Sequence, residues 1–283
     1  MRTFAEKTAI KIRDKNIEEE QVTPNTAESI SSSGNSIPMA KKLSATAPWR
    51  WLEKGWADYQ KRPLLAAGYG VLFVALGYAI VLGLSLMGMT AAVPVAVGAF
   101  ALVGPLMAAG LYAYAREIEA GRLPGWRDVL FVKAAAPIGV AYLGVMLLFG
   151  LFIWTLCALG LLVMFAGGQY IAPGEFTSFA LGTLPGLSLL TIGTIVGGII
   201  AFSIFAITAF SIPMLMDKDV DFATAIGASV NAVIAQPKPM LLWAWIIAAS
   251  VAISAATFLL GFILLFPLIG LATWHGYREA FGD

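Results

Sequence analysis

Histidine and cysteine supply most protein metal ligands and much proton and nucleophile chemistry. This chain has one of each, His275 and Cys157. A haem core needs paired axial ligands, which are mostly histidine, and a haem–copper centre needs still more. A structural zinc site needs four Cys or His ligands, and no HExxH occurs. Cys157 stands inside an apolar run, where a small core residue is expected, and a lone cysteine forms no intrachain disulfide. His275 sits in Trp274–His275–Gly276–Tyr277–Arg278, a pattern expected at headgroup level in an aromatic belt. Glu117, Glu119 and Asp128 are acid–base candidates by location only, and the expectation is that they are solvated loop charges. There is no Walker motif, no GxGxxG at a strand–helix junction and no membrane-embedded aspartate pair. The sequence therefore predicts a non-enzymatic protein with no catalytic residue, no cofactor and no metal.

The elements holding these residues are membrane spans. Of 283 residues, 59% are hydrophobic and 12% charged, with mean hydropathy +0.82; soluble domains carry about 25% charged residues. The net charge of +1 gives no case for nucleic acid. From Lys41 onward the charges fall in four clusters, Lys41 to Arg62, Arg116 to Lys133, Asp217 to Lys238 and Arg278 to Asp283, with Glu175 alone outside them. Long apolar stretches separate the clusters. Six spans are expected, at about 64–89, 93–115, 138–166, 187–216, 240–257 and 260–277. The last two share one apolar run, Met240 to His275, which would be roughly 54 Å long as one helix against a hydrocarbon core of about 30 Å. A hairpin with a turn near Phe258 to Gly261 fits better. The inner connections hold Arg116, Arg122, Arg127, Lys133, Lys218 and Lys238, and the outer ones hold no Lys or Arg. By the positive-inside rule both termini are cytoplasmic. The outer loop Gly167 to Gly186 is expected to lay a short helical turn on the surface through Phe176, Phe179 and Leu181.

Two segments read as short cytoplasmic interfacial helices. In 48–62, Trp49, Leu52, Trp56 and Tyr59 stack on one helical face, and Arg50, Lys54, Lys61 and Arg62 reach for lipid phosphates. In Asp221 to Gln236, Asp221 caps the helix, Phe222, Ile226, Val230, Val233 and Ile234 form its apolar face, and Pro237 and Pro239 stop it. Residues 1–44, with SISSSGNS at 29–36, read as a disordered cytoplasmic tail without a signal peptide. A weak charged helix over 4–20 is conceivable there, and Met39 heads a second candidate start. An internal repeat pairs GPLMAAGLYAYARE at 104–117 with FPLIGLATWHGYRE at 266–279. Lys61–Arg62–Pro63 and Lys238–Pro239 echo it ahead of each span pair.

The expected spans hold no Asp, Glu, Lys or Arg, which argues against ion-coupled transport. Their polar content is small: Gly193 and Gly197 in a GxxxG, then Ser203, Thr208 and Ser211, and on another helix Ser250, Ser254 and Thr257. Such residues promote close helix packing, and a hydroxyl-lined solute path is the sharper alternative.

Several residues together resemble a bacterial integral membrane family known only as domain-of-unknown-function family 2189. They are Trp51, Gly55, Trp56 and Asp58; Tyr69–Gly70; Gly104–Pro105; Gly110–Leu111–Tyr112 and Arg116 to Gly121; Asn231–Ala232–Val233, Pro237 to Met240 and Trp243; and Pro267 to Gly270 with Ala272 to Arg278. The resemblance spans about 46–280. It implies a proteobacterial inner-membrane protein with no established activity. Some members carry labels suggesting oxidase subunits, which a single histidine cannot support catalytically. The family often has His where this chain has Leu271, so a metal or proton role for a histidine pair does not carry over.

The expectation is thus an all-α polytopic bundle of six transmembrane helices and two interfacial helices in the bacterial inner membrane. Membrane lipid, other membrane proteins or a second copy are its expected partners. A structural or accessory role leads. A permease or channel for a small neutral or lipidic solute, and an accessory subunit of a respiratory oxidase, are the alternatives.

Overall fold

The computed structural model describes residues 37–89, 92–169, 171–172 and 174–282. The expected tail over 1–36, with its candidate helix at 4–20, lies outside the described residues. Twelve helices and no strand occur among the described residues. In chain order they are α1 (Ala47–Lys61), α2 (Pro63–Leu86), α3 (Val93–Met107), α4 (Ala109–Glu119), α5 (Trp126–Leu130) and α6 (Pro137–Ala166), then α7 (Phe176–Gly182), α8 (Leu184–Thr208), α9 (Ser211–Asp217), α10 (Phe222–Ala235), α11 (Pro237–Ala256) and α12 (Phe262–Phe281).

Proline sets the helix starts. The residue before a proline is pushed out of the α region, and proline itself is favoured in the first helical turn. Arg62 (φ −142°, ψ 66°) separates α1 from α2, Ala136 (φ −118°, ψ 74°) precedes α6, and Gln236 (φ −131°, ψ 63°) separates α10 from α11. One junction geometry thus recurs three times. Asp221 caps α10 by accepting from Thr224 N at 2.9 Å, as its sequence position implies. On the other side of the bundle α7 supplies the short helix expected after Glu175.

Four helices among the described residues are long and apolar enough to cross a membrane: Pro63–Leu86, Pro137–Ala166, Leu184–Asp217 (α8 running on through α9) and Pro237–Ala256. The expected second span differs. It is split at Ala108 into α3 and α4, because Pro105 removes one ladder hydrogen bond and crowds the preceding turn. The expected last span is α12, whose final turns carry His275, Arg278 and Glu279. The run Met240 to His275 is two helices. They meet in a turn where Phe258 and Leu259 take left-handed φ of 51° and 68°.

The third long helix bends at Ala209–Phe210. Ser229 of α10 repairs that break: it accepts from Phe210 N at 3.1 Å and donates to Ala206 O at 2.8 Å. At the other break Tyr69 donates to Met107 O at 2.7 Å. Side chains from neighbouring helices thus satisfy backbone groups left open at the breaks.

The densest packing lies at one end of the bundle, where α1, α4, α9 and α11 converge on α12. Trp51, Phe210, Trp243, Trp274 and Tyr277 are all at most 1% exposed there. Each tryptophan buries roughly 150–250 Å², worth about 4–6 kcal/mol gross at about 25 cal/mol per Å². By contrast, α6 leaves Tyr142, Leu148, Phe149, Phe152, Leu156 and Val163 exposed along its length, as a lipid-facing helix does.

Candidate functional site

The C-terminal half of α12 is the most densely bonded element in the molecule. It lies against α1 at close range. A Cβ on Gly55 would stand 2.8 Å from Ala272 N, and one on Gly276 would stand 3.0 Å from the Trp51 ring. Two glycines, one on each helix, therefore let the backbones approach and seat the Trp51 indole. Trp51 meets Trp243 and Phe210 edge-on, at centroid distances of 5.5 and 6.2 Å.

Around this aromatic plug runs a ring of carboxylates, three aimed at α12 and one reaching out from it. Asp58 of α1 takes His275 Nε2 at 2.7 Å and Lys61 Nζ at 2.9 Å. Glu119 of α4 accepts from Trp274 Nε1 at 3.2 Å and Arg278 Nε at 2.9 Å. Asp217 of α9 accepts from the Tyr277 hydroxyl at 2.7 Å and Arg278 at 3.1 Å. Glu279 reaches back to α1, accepting from Trp51 Nε1 at 3.0 Å and pairing with Arg50. Lys218 donates to Phe281 O at 3.0 Å. Lys41 N donates to Ala280 O at 2.9 Å, its ammonium to Gly282 O, and Leu43 N to the Gln236 side chain. Residues 41–43, placed with the tail by sequence, are thus tied to the bundle.

Burial of Asp58 works to raise its carboxyl, but the hydrogen bonds and charges of His275 and Lys61 outweigh that and hold it below its ordinary value. Burial also opposes the charge of Arg278, and Glu119 and Asp217 overcome it, so the guanidinium is held more firmly charged than usual. Ion pairs this enclosed position elements more than they add net stability.

The predicted lipid-interface residues divide. Trp49 and Trp56 are 54% and 42% exposed on α1, with Trp56 stacked on Tyr59 at 5.3 Å, and Lys61 and Arg62 are exposed at its end. Trp274 and Tyr277 depart from expectation. They are enclosed by protein and bonded to Glu119 and Asp217, and His275 and Arg278 are only partly exposed. On α1 the buried face is Ala47, Trp51, Gly55, Asp58 and Tyr59, while Trp49 and Trp56 point away from it. On α10 the buried positions are mainly the small Thr224, Ala225, Ala228, Ser229 and Ala232, and Ile234 is 73% exposed.

The helix-packing candidates also divide. A Cβ on Gly197 would stand 2.8 Å from the Trp154 ring of α6, whereas nothing lies within 4 Å of one on Gly193. Ser250 and Ser254 are buried, but they donate to Ile246 O and Ser250 O of their own helix, both at 2.8 Å. Ser203 and Thr208 also bond back within α8, and Ser211 of α9 bonds back to Ile207 O of α8. These hydroxyl protons are spent locally. The acid–base candidates have structural partners: Glu117 pairs with Arg122 at 2.6 Å, Glu119 holds α12, and Asp128 accepts from Gly125 N at 2.8 Å. Among the described residues no group of three or more His, Cys, Asp or Glu is placed to hold a metal.

Sequence reasoning missed Asp58 and Asp217 as the partners of the α12 end. The signal available was the WHGYRE run itself, five of whose six residues carry polar atoms at a helix terminus. A cavity of about 530 Å³ lies beside this end, between α4 and the α5 loop, lined by Ala113, Arg116, Glu117, Arg127, Asp128, Phe131 and Lys133.

Long apolar helices, lipid-facing side chains and a braced polar end define an integral membrane protein with several apolar helices. Residues 92–217, somewhat under half of the chain, match a family model described as "Predicted integral membrane protein (DUF2189)". The matched segment runs from the start of α3 through α9, so the α12 signature lies outside it. No curated protein and no solved structure matches the chain.

Proposed function

We propose that this chain is a six-span protein of the bacterial inner membrane with a non-enzymatic, accessory role, in which a braced cytoplasmic end holds the bundle rigid for partner membrane proteins. In this reading α3–α4 and α12 are the second and sixth spans, both termini are cytoplasmic, and α1 and α10 are interfacial helices. The single observation that carries the role is the closed α12 end. Five large aromatics are sealed there, and the surrounding carboxylates are engaged by α12 and by the side chains packed against it. A solute path would have to cross this plug, and the hydroxyls available to line one are bonded within their own helices. The outer flanks favour a partner. Helix α6 packs on α3, and α12 packs on α2, but no comparable contact joins α8 to α11. Both of these helices carry exposed apolar side chains, among them Ile195 and Ile199 on α8, and Leu241 and Trp245 on α11.

The test is extraction of the tagged chain from native membranes in mild detergent, followed by mass spectrometry of what accompanies it. A stoichiometric membrane protein is the expected result. Recovery of the chain alone, or with a bound small solute, would overturn the accessory role in favour of a permease.

A further inference from the structure

We propose that the cavity between α4 and the α5 loop is a specific binding site for the phosphodiester of an anionic phospholipid. The cavity, of about 530 Å³, falls within the ordinary range for ligand sites. Its wall holds three cations, Arg116, Arg127 and Lys133, against two carboxylates, Glu117 and Asp128. Both carboxylates are already committed, Glu117 to Arg122 and Asp128 to the Gly125 amide. Only Glu117 is neutralised by an ion pair, with Arg122, and Asp128 keeps its charge, so the wall sets three cations against one uncompensated carboxylate. Arg116 spends two N–H groups on backbone carbonyls, Met216 O at 2.8 Å and Lys133 O at 2.9 Å, which fixes its guanidinium at the cavity wall. The Arg127 and Lys133 side chains have no ion-pair or hydrogen-bond partner among the described residues. A fixed arginine flanked by two free cations is the chemistry that takes a phosphate.

The surroundings specify a lipid. Trp126, Leu130 and Phe131 are 46%, 52% and 77% exposed beside the cations, so an apolar rim adjoins the charge. Lys133 precedes Pro137, the first residue of a long apolar helix. This places the cavity at headgroup depth, on the topology proposed above. Basic pockets of this kind on the cytoplasmic side of helical membrane proteins select acidic headgroups.

The experiment uses the purified full-length chain in detergent, with lipid retention read by native mass spectrometry. The probes are phosphatidylglycerol, phosphatidylcholine and inorganic phosphate. Expected is one retained phosphatidylglycerol, no phosphatidylcholine, and no displacement by millimolar inorganic phosphate. The double variant Arg127→Gln with Lys133→Gln should weaken retention about 30-fold, at about fivefold per cation. Its thermal unfolding should be unchanged, because neither side chain braces the fold. The variant Lys42→Gln with Lys238→Gln, which removes two exposed cations that do not line the cavity, should retain lipid as the parent chain does. Retention by the parent should also fall steeply between low and high salt, a readout independent of any variant. Equal retention of phosphatidylcholine, undiminished retention by the double variant, or displacement by inorganic phosphate would each overturn the site. A chain recovered without protein partners but with its lipid intact would instead sink the accessory role and leave this site standing.

Discussion

Asp58 is 5% exposed, and an unpaired carboxylate so enclosed would cost several kcal/mol in lost hydration. His275 and Lys61 take its two oxygens, and the Tyr114 hydroxyl donates to the Asp58 backbone carbonyl at 2.8 Å. The outcome for the carboxyl is a value below the ordinary 3.8. A depressed carboxyl means that the unfolded chain binds more protons than the folded one as acid is added. The stability it contributes is therefore present above pH 3.8 and lost as pH falls through the lower folded value. Asp58→Asn removes the charge and leaves His275 with a weaker acceptor, so a loss of about 1–3 kcal/mol is expected at neutral pH. Thermal unfolding in detergent should show that loss at pH 7 and a smaller gap between variant and parent below about pH 3.8. A gap that stays constant across the acid range would mean that Asp58 is not held by charge.

At the scale of the helix, the two serine classes make opposite predictions. Ser229 crosses to another helix and satisfies the amide and carbonyl freed where α8 gives way to α9. Ser229→Ala leaves Phe210 N without a partner and should cost about 1–3 kcal/mol. Ser250→Ala removes only a bond to its own helix and should stay within about 0.5 kcal/mol. Comparable losses in the two variants, by denaturant or thermal unfolding, would show that the repair at the break is not structural. The distinction was not legible in the sequence, where both serines are small polar residues in apolar runs. What was legible came from strong local signals: long apolar runs, the prolines at the starts of α2 and α11, the aspartate cap of α10, and a run too long for one helix between Met240 and His275. The buried face of α1 was not legible. Its period fits two stripes, one through Trp49 and Trp56 and one through Trp51, Gly55 and Asp58. The choice between them is made by Ala272 and Gly276, more than 200 positions away in the sequence. The partners of α12 were hidden for the same reason, because three carboxylates from separate segments reach it only once the helices pack.

In the whole molecule the same arrangement occurs three times. A short helix precedes a long apolar helix that opens on a proline, after one intervening residue for α1 and α10 and after residues 131–136 for α5, and a second helix follows: α1, α2 and α3–α4; α5, α6 and α8–α9; α10, α11 and α12. The helices that follow carry Pro105, Pro213 and Pro267, so a middle unit shares the proline placement of the first and last units paired in the sequence. If each of the three units crosses twice, the proposed six-span count follows, and α1, α5 and α10 fall on the cytoplasmic side with the positive charge. If only the four strongest apolar helices crossed, Glu175 would lie on the same side as the N-terminal segment. Single cysteines decide between the two counts, introduced at Leu123, Glu175, Lys238 or Phe258 in a chain carrying Cys157→Ser, since all four positions are exposed. A membrane-impermeant maleimide added to intact spheroplasts should label the variants at 175 and 258 and spare those at 123 and 238 until the membrane is opened. Labelling at 123 from outside would mean that α3–α4 does not cross, and the bundle would then have lost the symmetry that its proline junctions imply.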